Sequence, residues 1–304
     1  MRSTQALSRK KKEVKAKVAY KNIKNITKSI QSLLELLSPK IKPKTVLLKP
    51  NLVIGAPPGK GITTNVHVVK AVVEWLKQRG KRIIIAEGSA GMPTMQAFKE
   101  SGYFSIKDVE FVDLNNDKYV DVKIKHPLAW RSIAVAKTFY KAKYIINLPV
   151  AKCHHLAGVS LGIKNLMGVL KPLGKMHEHG TKSHIHHEWS YSLMPKKKAK
   201  ILFEKRLIDL LRVKPIDLTL IDGTYSLQQW ETSPFPLKTM FALASTDIIA
   251  ADIICTQIMG IPPEKIYYLQ LAQAVLGKRK IEIIGDKPKQ FSIKPSEEWI
   301  ELIS

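Results

Sequence analysis

The chain has 304 residues, 45% of them hydrophobic, and sets 50 Lys+Arg against 25 Asp+Glu for a formal net charge of +25 at pH 7. That length and composition suffice for one large core. The two cysteines, Cys153 and Cys255, exclude a cysteine-held iron–sulfur cluster. No apolar run approaches the roughly 18 residues of a spanning helix, the best stretch, 248–261, being broken by Asp252.

The basic start of the chain is not followed by an apolar region, so no signal peptide is expected and the cytoplasm is the default location. The positive charge favours an anionic partner: a small phosphate or carboxylate, nucleic acid, an acidic protein or a membrane surface. Its even spread, with dense runs only at Arg9–Lys12 and Lys196–Lys200, also matches the lysine enrichment of heat-adapted proteins.

In chain order, residues 1–12 read as a basic tail, and residues 13–304 as one composite α/β domain with a histidine-rich insertion at about 151–195. Residues 14–20 alternate as a strand, and Ile23, Ile26, Ile30, Leu33, Leu34 and Leu37 recur at helical spacing. A short buried strand at 45–49 leads into Pro50, Asn51 and a Gly/Pro-rich loop. Thr64 or Asn65 can cap a helix reaching about Gln78. Strand 82–87, a helix over 94–101 and strand 109–112 follow, then a β excursion at 115–137 and a buried strand over 144–150. After the insertion come a helix at 196–211, a strand at 217–222, a polar loop at 223–237 and a strand near 238–243. A helix capped by Ser245 or Asp247, a helix over 263–275 and a last strand at 281–284 complete the chain. The strand–helix alternation predicts a largely parallel sheet with helices on both faces. Ligands bind such sheets in the crevice beyond the strand carboxyl ends.

Three loops fall there. Lys49 with Asn51 could hold a phosphate or carboxylate, or close an Asx-turn. Gly88 and Ser89 open a turn able to cradle an anion with backbone N–H groups. The third loop follows the buried strand and reads Lys152, His154, His155, Gly158, Ser160, Gly162, Lys164, Asn165. Imidazoles there can move protons or bind a metal, and a desolvated lysine can hold an anion or act as a nucleophile. Histidines recur at His177, His179, His184, His186 and His187, and two or three imidazoles suit zinc or nickel. None of these spacings is that of a zinc peptidase. Asp222, at a strand end, could be a base or ligand; Asp252 falls inside an apolar helix and needs a partner.

The segments Leu48-Lys-Pro-Asn51, Ala86-Glu-Gly-Ser89, Asn147-Leu-Pro-Val-Ala-Lys-Cys-His154, Gly162-Ile-Lys-Asn-Leu-Met-Gly168, Ile221-Asp-Gly223 and the pair Asp247 and Asp252 resemble the DUF362 family. The stretch from His154 to Lys164 is also similar to a segment of the nickel-pincer lactate racemases. That resemblance implies His154 as a proton- or hydride-assisting base, Lys164 as the tether of a covalent cofactor, and His177 or His179 as a nickel ligand. The racemases' carboxylate-binding arginine would fall near Thr63–Asn65 and their second catalytic histidine near Ala90, where this chain has neither.

The combined expectation is an enzyme of the isomerase or redox type acting on a small anion. His154, His155 and Lys164 would carry the chemistry, with Lys49, Asn51, Gly88, Ser89, Lys152, Asn165 and Asp222 binding the anion and His177 and His179 a metal. A nucleic-acid-binding protein and a non-catalytic metal carrier are the alternatives.

Overall fold

A computed structural model describes residues 13–172 and 194–304; the basic tail and the histidines from His177 to His187 lie outside the described residues. Strand β1 (Val14–Asn22) is followed by α1 (Ile26–Leu37), β2 (Thr45–Pro50), α2 (Val66–Lys77), β3 (Arg82–Glu87), α3 (Thr94–Glu100) and β4 (Glu110–Asp113). Next come β5 (Tyr119–Lys123), β6 (Ser132–Ala136), α4 (Lys137–Lys141), β7 (Ile145–Leu148), β8 (Val150–His154), β9 (Gly158–Ser160) and α5 (Gly162–Asn165). Then follow α6 (Lys196–Leu211), β10 (Leu218–Leu227), β11 (Pro236–Ser245), α7 (Ile248–Ile258), α8 (Tyr267–Leu276), β12 (Arg279–Gly285) and α9 (Glu297–Ile303).

The main sheet runs β12-β1-β11-β10-β7-β2-β3-β4, with β8 attached to β10 and β9 to β8. Every pairing along that path is parallel except the two made by β11. The central strands read as unbroken apolar runs because both their faces are covered. Val46, Leu48, Ile83, Ile85 and Ile146 face one core, shared with Leu33 and Leu34 of α1 and Val69, Val72 and Leu76 of α2. Leu47, Ile145 and Ile221 face the other, shared with Phe203 and Leu207 of α6 and Ile249 and Ile253 of α7. The expected parallel α/β sheet with helices on both faces is the fold observed. Among the described residues, no helix is long and apolar enough to cross a membrane.

The caps lie where expected: Asn65 accepts from His67 N at the start of α2, and Asp247 from Ala250 N at the start of α7. Two stretches differ from expectation. The strand over 144–150 is broken at Pro149, which has no N–H to donate; β7 ends before it and β8 begins after it. Asp222-Gly does not end its strand. β10 continues to Leu227 through a register shift between Gly223 and Tyr225, where a Cβ on Gly223 would sit 2.4 Å from the Phe241 ring.

Asp252 finds the partner its burial demands. From α7 it accepts Gly162 N at 2.7 Å and Ile163 N at 2.9 Å, capping α5 from across the core. Burial pushes its carboxyl from the ordinary 3.8 up to about 7, against the pull of those two N–H groups. Asp252→Ala leaves both N–H groups buried without acceptors, so a loss of about 2–4 kcal/mol is expected in urea unfolding. Because the folded value lies above the unfolded one, this carboxyl contributes stability at about pH 4 that is lost as pH rises through 7. The stability gap between wild type and Asp252→Asn should therefore narrow over that range.

Candidate functional site

The carboxyl ends of β2, β3 and β7 bring Lys49, Glu87 and Asn147 together, Lys49 and Asn147 being register partners. Lys49 is fully buried, and its ammonium donates to Glu87 Oε2 at 2.8 Å. Burial pulls the Lys49 ammonium below the usual lysine range, with Glu87 opposing. The other Glu87 oxygen accepts Gly88 N at 2.7 Å. Lys49 is thus spent on Glu87 rather than offered to a ligand, and the two charges cancel.

Beside this pair runs a chain of side-chain donors, all pointing the same way. Lys152 Nζ donates to Asn51 Oδ1 (2.8 Å), Asn51 Nδ2 to Asn165 Oδ1 (3.0 Å), Asn165 Nδ2 to Asn147 Oδ1 (2.8 Å) and Asn147 Nδ2 to Gly162 O (3.0 Å). Lys152 also donates to Ile62 O at 2.9 Å and Glu231 O at 3.3 Å, so all three ammonium hydrogens are engaged. Burial draws Lys152 down to about 7; Glu231 opposes and neighbouring Lys164 adds to the shift.

Glu231 comes from the loop after β10. Its Oε2 lies 3.1 Å from His155 Nδ1 and its Oε1 lies 3.6 Å from His154 Nε2. The two imidazoles stack at 4.5 Å between centroids. Burial alone would raise the Glu231 carboxyl, but His154, the His155 hydrogen bond and the Lys164 ammonium outweigh it and hold the group ionised far below the usual carboxylate range. Lys164, half-buried on α5, has its Nζ 6.0 Å from the Phe203 ring centroid, and no hydrogen-bond acceptor meets it among the described residues. Burial lowers Lys164 to about 8, with Glu231 opposing.

Asn51, Glu87, Gly88, Lys152, Ser160, Lys164, Asn165 and Glu231 line one cavity of about 200 Å³, closed by Val53, Ala90, Met167 and Gly168. Gly168 is required there, since a Cβ would fall 1.9 Å from Glu87 Oε1. Five of the residues expected at the crevice therefore meet on its walls: Asn51, Gly88, Lys152, Lys164 and Asn165. His154 and His155 reach it through Glu231. Ser89 is buried beside it, its backbone bonded to Thr94 and Asn115. Asp222 does not line it: its carboxylate accepts Asn65 N at 2.7 Å, Thr224 N at 2.8 Å and Thr224 Oγ1 at 2.7 Å, pinning the start of α2. His177 and His179 lie outside the described residues. Of the basic run at 196–200, Lys200 is buried and paired with Glu204 at 2.6 Å.

Glu87 and Glu231 were not singled out in the sequence. Glu87 ends a strand inside the Ala86-Glu-Gly-Ser89 segment and could have been read from that position. Glu231 carries no local signal.

Ligand atoms of His154, His155 and Glu231 lie within 4.8 Å of one another, a group that could bind a metal. Its donor chemistry fits only in part. His154 Nδ1 accepts Leu156 N at 3.0 Å and Ala157 N at 3.1 Å, so the ring proton sits on Nε2, the atom facing Glu231. A metal needs a lone pair from imidazole, which this tautomer does not present. The same protonation denies His154 the part of a base toward the cavity. Among the described residues, His155 and Glu231 alone are too few for a closed site.

A family model described as "Domain of unknown function (DUF362)" matches residues 46–257. The thylakoid-associated protein sll1697 of Synechocystis sp. is 27% identical over 248 residues, covering 78% of this chain and 71% of that protein. Among solved structures, the lactate racemase apoprotein of Thermoanaerobacterium thermosaccharolyticum superposes with a TM-score of 0.51 at 12% identity, over 81% of this chain and 57% of the racemase. At that identity the likeness is one of fold, and this chain spans little more than half the racemase's length. Lys152→Met leaves Asn51 Oδ1 and two carbonyls without their donor, and a loss of about 2–4 kcal/mol is expected in urea unfolding.

Proposed function

The chain belongs to the DUF362 family, whose description assigns no reaction, and on that premise we propose an enzyme that moves a proton on a small carboxylate- or phosphate-bearing substrate. The observation that carries this reading is the ionised Glu231 carboxylate, bridged between two imidazoles in the wall of a cavity that Lys164 also lines.

An ionised carboxylate only accepts hydrogen bonds, so the hydrogen shared with His155 sits on Nδ1. That tautomer puts the lone pair on Nε2, and a carboxylate that orients the ring and stabilises the imidazolium is the partner a general base beside the cavity needs. His154 acts through Glu231 as a positioning residue, its ring locked by the two backbone N–H groups. The charges select an anion. Lys49 and Glu87 cancel, Glu231 is shared between imidazoles, and Lys152 has no hydrogen left to donate. Lys164 is the lining cation with donors to offer. A cavity of about 200 Å³ admits a molecule of a few heavy atoms.

Calorimetric titration with small carboxylates and phosphates tests this. Binding is expected below pH 8 and should weaken up to tenfold per pH unit above it, as Lys164, at about 8, loses its charge. Lys164→Met should bind at least about tenfold more weakly and Lys164→Arg should restore most of the affinity. Equal affinity in wild type and Lys164→Met, or no binding of any small anion, would end the reading. His155→Gln should keep the affinity and lose exchange of the bound substrate's acidic C–H with deuterated water.

A further inference from the structure

We infer that Lys164 is a nucleophilic amine that condenses with the carbonyl of a small 2-oxo acid or aldehyde held in the cavity. This rests on the proposed proton-transfer reading of the same site and adds the chemical class of its substrate.

The three buried or half-buried lysines around the cavity are treated differently by the fold. Lys49 is bonded to Glu87 and Lys152 to three oxygens, whereas no acceptor among the described residues holds Lys164. An amine attacks through its lone pair, so a lysine tethered through every hydrogen is the wrong one and an untethered one is suited. Lys152 and Lys164 both lie below the ordinary lysine range, at about 7 and about 8. Burial alone would deprotonate Lys152 first, but the local bonding argues otherwise. Asn51 Oδ1, Ile62 O and Glu231 O only accept, and a lone pair on Lys152 would face one of them. Lys152 keeps its proton, and the neutral amine present near pH 7 is the minor unprotonated fraction of Lys164, whose protonated form holds the incoming anion. A desolvated lysine beside a second cation is a recognised way of making this nucleophile.

The step balances without an oxidant or reductant. The neutral Lys164 nitrogen attacks the carbonyl carbon, forming C–N as the carbonyl π pair moves to oxygen. The two amine hydrogens leave with that oxygen as one water, and a C=N bond remains. The His155–Glu231 pair relays the proton from nitrogen to the departing oxygen. Protonated, the imine withdraws electrons from the adjacent C–H, which is the proton the proposed reaction moves. The Lys152 ammonium, its hydrogens already engaged, lines the same cavity and attracts the substrate carboxylate by charge alone.

The test is reductive trapping on the full chain. The protein is incubated near neutral pH with pyruvate or glyoxylate and cyanoborohydride, then read by intact mass and peptide mapping. At that pH Lys164 holds on the order of a hundredfold more neutral amine than an ordinary lysine, so a single adduct is expected there well before other lysines react. An unreactive carboxylate such as lactate should protect it, and Lys164→Arg should lose the adduct while calorimetry still shows anion binding. No adduct, or labelling spread evenly over the lysines of the wild-type protein, overturns the inference. If lactate binds but no adduct forms, the imine falls and the proton-transfer reading stands; if neither occurs, both fall.

Discussion

The structure of the site depends on one buried line of hydrogen bonds, from Lys152 through Asn51, Asn165 and Asn147 to Gly162 O. A primary amide has an acceptor end and a donor end, and burial requires both to be matched. Once the lysine sets the first donor, each amide in turn is forced into a single orientation. The line crosses from β8 to the loop after β2, to α5 and to β7, so it fixes four elements against one another. Asp252 secures the far end by capping α5 at Gly162 and Ile163. The position of Lys164 within α5 follows from that anchorage and not from any bond of its own.

The same matching decides which charges are free to act. Buried ions in a low-dielectric interior are costly alone, so the fold pairs Lys49 with Glu87, surrounds Lys152 with oxygens and sets Glu231 between two imidazoles. Only partly hidden Lys164 is left without an acceptor among the described residues. The two backbone N–H groups on His154 settle its tautomer and put a ring proton on the nitrogen that faces Glu231.

Much of the architecture was legible in the chain. The apolar runs of β2, β3 and β7, the helical spacing of α1 and α2, and Asn65 and Asp247 as caps all express local preferences that burial on both sheet faces leaves intact. Pro149 broke an otherwise convincing strand because a missing N–H outweighs apolar pattern. β10 outran Asp222-Gly223 because Gly223 makes room for the Phe241 ring, a contact set by a neighbouring strand and invisible along the chain.

By itself the sequence determined the α/β layering, the strand ends where side chains would gather, and Asn51, Lys152, Lys164 and Asn165 as residues of one crevice. Apolar periodicity and the rule of strand carboxyl ends suffice for that, since both act over a few residues. Only the tertiary structure decided that Asp222 pins a helix, that Lys49 is neutralised by Glu87, and that Glu231, from a distant loop, joins His154 and His155. The physical reason is that a carboxylate's role is set by whichever donors surround it after burial. Those donors come from segments that nothing local in the chain associates.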